Sequence, residues 1–127
     1  VRVLVVEDVP EVRQIIRWML EVEGATVVEA GSAGEALRLA EAERVDVVLT
    51  DLGLPDMSGE AVIIGIRSRS NGRIPVAVVS GERGEILAHA LDVGADHAFT
   101  KPVDRNELVR YLASVLKGAV ASPLPVE

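Results

Sequence analysis

The 127-residue chain has no cysteine, which excludes disulfides and thiolate metal sites and fits a reducing compartment such as the cytosol. Aromatic residues are almost absent. Trp18, Phe99 and Tyr111 are the whole set, too little flat surface for the base-stacking platforms that grip single-stranded nucleic acid. Basic charge is also scarce. Thirteen Lys and Arg stand against 20 Asp and Glu, giving a net charge of −7 and a pI near 4.8. That balance repels phosphate backbones and argues against a direct nucleic-acid ligand. No apolar run is long enough to cross a bilayer and no signal-peptide pattern is present, so no membrane insertion is expected and the expected location is cytoplasmic. The chain begins at Val1 rather than Met, which leaves its natural start open.

Aliphatic residues are what the chain has in quantity. Hydrophobic residues make up 49% of it, and a core of Val, Ile, Leu and Ala suits a parallel sheet covered by helices. The length predicts one domain with a substantial core.

Short apolar runs alternate with helical patterns along the chain. Val3–Val6 reads as a buried strand. Pro10 opens a helix in which Ile15, Ile16, Met19 and Leu20 recur, and Gly24 closes it. Thr26–Glu29 is a second strand. Ser32 and Glu35 then make a capping box ahead of Ala36, Leu37 and Ala40. The third strand spans Val45–Thr50 and stops at Asp51. A loop with Gly53 and Pro55 leads to a helix through Val62, Ile63 and Ile66, which Gly72 breaks. Pro75 precedes a strand over Val76–Val79 that ends at Ser80-Gly81. Ile86, Leu87, Leu91 and Val93 mark the next helix, and Gly94 closes it. Ala98–Thr100 runs into Lys101-Pro102. Asp104 and Glu107 cap a last helix with Leu108, Leu112 and Leu116 on one face. Five strand–helix units with short, right-handed connections predict an α/β domain on a parallel sheet.

In such a sheet, ligands bind at the carboxyl ends of the strands. Those ends are Glu7-Asp8, Asp51, Ser80 and Lys101. Each has an ordinary explanation when taken alone: Asp8 as a turn or cap residue, Glu7 and Lys101 as solvated charges, Ser80 as a turn residue. Together they bring three carboxylates, a hydroxyl and an ammonium to one edge, and coincidence becomes a poor account. The remaining ordinary reading is an inert ion network.

Charge dictates the chemistry of such an edge. Clustered carboxylates repel one another unless a cation intervenes, and a hard divalent ion with oxygen ligands resolves the repulsion. Mg²⁺ fits. Zinc does not, since His89 and His97 lie away from the strand ends and read as surface residues. With the repulsion relieved, a carboxylate can attack a phosphoryl group and form an acyl phosphate. Lys101 supplies the cation and Ser80 the hydroxyl donor that the equatorial oxygens need, and Gly81 leaves room for the phosphoryl group.

VLVVED, DLGLPDMSG, VSG and GADHAFTKP, in this order and spacing, resemble the receiver domains of bacterial response regulators over the chain up to Lys117. The resemblance implies a flavodoxin-like (βα)5 sandwich with strand order 2-1-3-4-5. It implies that Asp51 accepts phosphate from a phosphohistidine on a sensor histidine kinase or histidine phosphotransfer protein. Asp8, Asp51 and the Gly53 carbonyl would bind Mg²⁺ directly, and Glu7 through a water. Ser80 and Lys101 would hold the phosphate, with a cis peptide before Pro102. Phosphorylation would draw the Ser80 loop inward and repack the face of the fourth helix, fifth strand and fifth helix, through which a homodimer could form. The domain would catalyse only its own phosphorylation and dephosphorylation. It is expected to span residues 1–117 with a flexible tail over 118–127, either standing alone or cut from a larger regulator or hybrid kinase.

One position departs from the family pattern. Such domains carry Tyr or Phe three residues before the lysine, and here that residue is Ala98. Strand alternation sends the neighbouring Phe99 to the opposite face. Val103 after Lys-Pro, where Phe is common, is a milder difference. Ala98 keeps open a degenerate receiver that binds partners without phosphate. A haloacid-dehalogenase-like phosphatase would need a second acid where Gly53 stands. A flavin or nucleotide binder would need a glycine-rich loop where Glu7-Asp8-Val9-Pro10 stands.

Overall fold

The structure, a computed structural model, describes residues 1–70, 74–81 and 85–121; for residues 70, 85–87 and 116–121 it defines backbone elements only. The elements run β1 (Arg2–Val6), α1 (Pro10–Val22), β2 (Thr26–Ala30), α2 (Ala33–Ala42), β3 (Val47–Asp51), α3 (Gly59–Ser70), β4 (Val76–Ser80), α4 (Glu85–Asp92), β5 (His97–Thr100) and α5 (Arg105–Ala121). All neighbouring strands pair in parallel in the order β2-β1-β3-β4-β5, the expected flavodoxin-like arrangement.

The middle stretches of β1, β3 and β4 are apolar because both faces of the sheet are covered there. Leu4, Val6, Val48, Val76 and Val78 meet Ala33, Ala36, Val62, Ile63 and Ile66 on one side. Val3, Val5, Val47, Leu49 and Phe99 meet Ile16, Leu20, Leu108 and Leu112 on the other. Each fully buried Leu, Ile or Phe contributes about 1.5–3 kcal/mol. Phe99 and Ala98 therefore face opposite cores, as strand alternation predicts.

Helix ends follow the local signals. Gly24 and Gly94 take positive φ, +90° and +122°, just past α1 and α4. The Ser32 hydroxyl accepts from Glu35 N (3.2 Å), but Glu35 Oε1 accepts from Gly31 N (2.8 Å), one residue outside the expected box. Asp104 Oδ1 accepts from Asn106 N and Glu107 N.

Four details differ from the sequence pattern, and two of them have clear causes. β3 begins at Val47, not Val45, because Asp46 exchanges bonds with Arg2: Asp46 N donates to the Arg2 carbonyl and Asp46 Oδ2 accepts from Arg2 N, both 2.8 Å. The same strand includes Asp51 as its last residue. Ile15 is 55% exposed, since the core-facing arc of α1 is filled by Ile16 and Leu20. α5 continues to Ala121, past Lys117. The break at Gly72, the side chains of Ile86, Leu87 and Leu116, and residues 122–127 of the expected tail lie outside what is described.

Candidate functional site: an acidic cluster at the sheet edge

β1, β3, β4 and β5 are consecutive in the sheet, so the residues that end them are neighbours. Glu7 and Asp8 follow β1, Asp51 closes β3, Ser80 closes β4, and Lys101 follows β5. Glu7, Asp8 and Asp51 each place a carboxylate oxygen within 4.8 Å of the others. The structure gathers Glu7, Asp8 and Asp51, with Lys101 against Glu7 and Asp51, while Ser80 ends the adjacent strand.

Their environments differ. Asp8 is exposed, whereas Asp51 and Ser80 are buried. Glu7, whose charge alone suggests a solvated side chain, is 1% exposed. Lys101 makes that burial tolerable. Its Nζ stands 2.9 Å from Glu7 Oε1 and donates to Asp51 Oδ2 at 3.3 Å. Burial alone would lower the Lys101 ammonium, but the Glu7 and Asp51 carboxylates outweigh it and hold the group above its ordinary value. The Lys101 ammonium is thus the charged partner of buried Glu7 Oε1. The second oxygen, Oε2, accepts from Val9 N at 3.2 Å. The Lys101-Pro102 peptide is cis.

Further residues shape the edge without joining the cluster, and among them sequence reading passes over Arg13, Gly59 and Asp56. Arg13 on α1 donates to the Glu7 carbonyl (Nη1, 2.6 Å) and to Glu29 Oε1 on β2 (Nε, 2.8 Å). With Arg17, it holds the Glu29 carboxyl below its ordinary value. Thr50 Oγ1 donates to the Asp51 carbonyl at 2.9 Å. Gly53 is exposed, and its N–H donates to Asp51 Oδ1 at 3.3 Å. Gly81 is exposed with open space where a Cβ would stand. Gly59 and Asp56, at the far end of the β3–α3 loop, touch the Asp51 backbone and α2 respectively. Neither histidine joins the cluster: exposed His89 approaches Glu60 at 3.5 Å. Half-buried His97 is not a plain surface residue, because it stacks on Tyr111 with ring centroids 5.0 Å apart. Beside the site, Val12, Ile15, Ile16, Met19, Pro102 and Val103 line an apolar groove of 330 Å³ with Lys101 at its edge.

The response regulator receiver domain pattern matches residues 3–113. The chain belongs to that family. It is 40% identical over 124 residues to the transcriptional regulatory protein KdpE of Mycobacterium tuberculosis, covering 96% of this chain and 54% of that protein. It is also 40% identical over 110 residues to a 14.6 kDa protein in the sodA1 3′ region of Leptolyngbya boryana, covering 85% and 84%. A CheY-like receiver domain from Methanospirillum hungatei superposes with a TM-score of 0.85 at 30% identity, over 91% of this chain and 93% of that one. The chain thus spans about half the length of KdpE. As a receiver, it carries an acidic cluster suited to Mg²⁺-dependent phosphoaspartate chemistry. Receivers act on their own phosphorylation state and do not turn over a separate substrate, which removes the phosphatase alternative. No described helix is long and apolar enough to cross a membrane.

Proposed function

We propose that Asp51 accepts a phosphoryl group from a phosphohistidine of a sensor histidine kinase or histidine phosphotransfer protein. The observation that carries this reading is the cluster of Glu7, Asp8 and Asp51 with a single ammonium, Lys101, reaching Asp51 at 3.3 Å. An Asp51 carboxylate oxygen forms the new P–O bond as the P–N bond to the donor breaks. The electron pair of that bond stays with the imidazole nitrogen. Lys101 offsets charge on the phosphoryl oxygens, and the Ser80 hydroxyl donates to them.

The donor set fits a hard divalent cation. It is all oxygen and carries excess negative charge, three carboxylates against the one Lys101 ammonium. In our reading the cation is Mg²⁺, held by Asp8, Asp51 and the Gly53 carbonyl, with Glu7 acting through a water. When bound, it offsets the repulsion among the carboxylates and the incoming phosphoryl oxygens.

The test is intact-mass measurement after incubation with acetyl phosphate and Mg²⁺. One phosphoryl group should appear on the wild type and none on Asp51→Ala. No gain in the wild type, under conditions that phosphorylate a control receiver, would favour the second reading, a phosphate-independent interaction module. Ala98 is the observation behind that alternative. A homodimer through the α4–β5–α5 face is a further proposal, tested by sedimentation with and without phosphorylation. Among described residues, the large exposed hydrophobic on that face is Leu91, whereas α1 exposes Ile15, Trp18 and Val22.

A further inference from the structure

The β3–α3 loop, residues 52–58, carries Gly53, whose carbonyl can serve a cation only if the loop is held still. Mg²⁺ demands near-ideal octahedral geometry, so a wandering ligand is a poor one. Gly53 itself is held by one hydrogen bond, from its N–H to Asp51 Oδ1 at 3.3 Å, and a Cβ there would meet nothing within 4 Å. The far end of the loop is fixed, since Gly59 N donates to the Leu52 carbonyl at 2.9 Å.

Between these points stands Asp56, and its carboxylate reaches out of the loop. Oδ1 accepts from Ala33 N and Oδ2 from Gly34 N, both at 2.9 Å. Oδ1 also accepts from Met57 N at 3.1 Å. Ala33 and Gly34 open α2, so their N–H groups have no partner within the helix. The helix's own cap, Ser32, accepts from Glu35 N. Asp56 thus completes the capping of α2 from a segment 22 and 23 residues away. The Gly34 amide chiefly, and the Ala33 amide next, hold the Asp56 carboxyl below its ordinary value. Gly34 is matched to this contact: a Cβ there would lie 3.2 Å from Asp56 Oδ2. Asp56 is also absent from the acidic cluster, although it lies in the same loop as Gly53.

We propose that Asp56 is a positioning residue of the phosphoryl-transfer site: it clamps the β3–α3 loop onto the N-terminus of α2, and so fixes the Gly53 carbonyl beside Asp51 and sets the affinity of the site for a divalent cation. The inference rests on the reading of the site given under Proposed function. It places α2 in the support of a site to which α2 contributes no ligand. Residues that orient metal ligands commonly change affinity about 10–100-fold when removed.

The experiment is calorimetric titration of the whole chain with Mg²⁺ for the wild type, Asp56→Ala, Asp56→Asn, Gly34→Ala and the Asp56→Ala/Gly34→Ala pair. Hydrogen exchange at the Ala33 and Gly34 amides reports the clamp itself. Asp56→Ala should expose both amides and bind Mg²⁺ about 10-fold more weakly. Asp56→Asn should fall between, having one carbonyl oxygen for two amides. Gly34→Ala separates the clamp from general stability, because alanine favours the helix yet crowds Asp56. It should weaken Mg²⁺ binding without lowering the melting temperature, and have no effect once Asp56 is gone. Unchanged Mg²⁺ affinity in Asp56→Ala, with both amides exposed, would overturn the clamp alone. So would equal weakening by Gly34→Ala with and without Asp56. A wild type that binds no Mg²⁺ would overturn the site reading, and this proposal with it.

Discussion

Gly59 stands so close behind Asp51 that a Cβ at Gly59 would lie 2.2 Å from the Asp51 carbonyl oxygen. The obstacle is backbone, which cannot swing aside as a side chain can. α3 therefore starts directly against the strand end that carries the phosphoacceptor candidate.

Gly59→Ala should accordingly destabilise the domain by about 1–3 kcal/mol, the ordinary cost of overpacking. It should also slow acyl-phosphate formation by moving Asp51. Gly53→Ala and Gly81→Ala place their methyl groups in open space, and their stability should stay within about 0.5 kcal/mol of wild type. Urea unfolding of the three variants provides the check, and equal stabilities would show that the Gly59 contact relaxes freely.

Lys101→Met keeps the stem and removes the ammonium from Glu7 and Asp51. Breaking a buried pair costs about 3–5 kcal/mol, and the partial exposure of Lys101 argues for the lower end, about 3 kcal/mol at neutral pH. Saturating Mg²⁺ should restore part of the loss by supplying another cation. The pH dependence has a definite sign. The Lys101 pKa is raised in the folded state, so its contribution is complete below the ordinary lysine value and disappears as pH rises through the raised one. Denaturation curves of wild type and variant should converge only in strongly alkaline solution.

Asp56 titrates in the opposite sense. Its folded pKa lies below the ordinary value of 3.8, so the clamp is intact above that value and is lost as pH falls through the depressed one. The amide resonances of Ala33 and Gly34 should shift together on acidification below the ordinary aspartate range. In Asp56→Asn the same shift should be missing, and its persistence there would assign the titration to another group.

Phe99 is 1% exposed and meets His97 and Tyr111 edge-on, at centroid distances of 4.6 and 5.6 Å. Phe99→Ala should cost about 3–5 kcal/mol. Burial pushes the Tyr111 hydroxyl up to about 12, so tyrosinate absorbance should stay absent until strongly alkaline pH while the domain is folded. In Phe99→Ala, looser packing should let it appear at lower pH, as an absorbance titration would show.

The strand ends were legible because a buried parallel strand is a nearly unbroken apolar run, and the polar residues that follow Val6, Leu49, Val79 and Phe99 announce the edge. The order of the strands and the role of the edge followed from the resemblance and from the rule that ligands collect there. What stayed hidden depends on distant partners. Glu7 reads as a solvated acid until Lys101, far along the chain, is seen beside it. Asp56 looks like a turn residue, and nothing nearby in sequence points to Ala33 and Gly34. The early end assigned to β3 at Val45 reflects the same blindness, since the Asp46–Arg2 exchange joins separate segments. Ile15 and Ile16 fit the helical pattern equally well, and only the packing of α1 decides between them.

Ala98 faces the core on the side of the sheet where α4 packs on β5, while the aromatic mass of β5 lies on the α5 side. A methyl group has no side-chain torsion that could carry a movement of heavy atoms, so on its own face this strand has no lever arm. Ser80 is joined to the strand's exit by the hydrogen bond from Lys101 N to the Ser80 carbonyl, 2.9 Å. A displacement at Ser80 that is carried into β5 therefore travels as a shift of main chain. Its stroke is then bounded by how far two paired strands can slide without parting, a shorter and stiffer travel than a swinging ring would give.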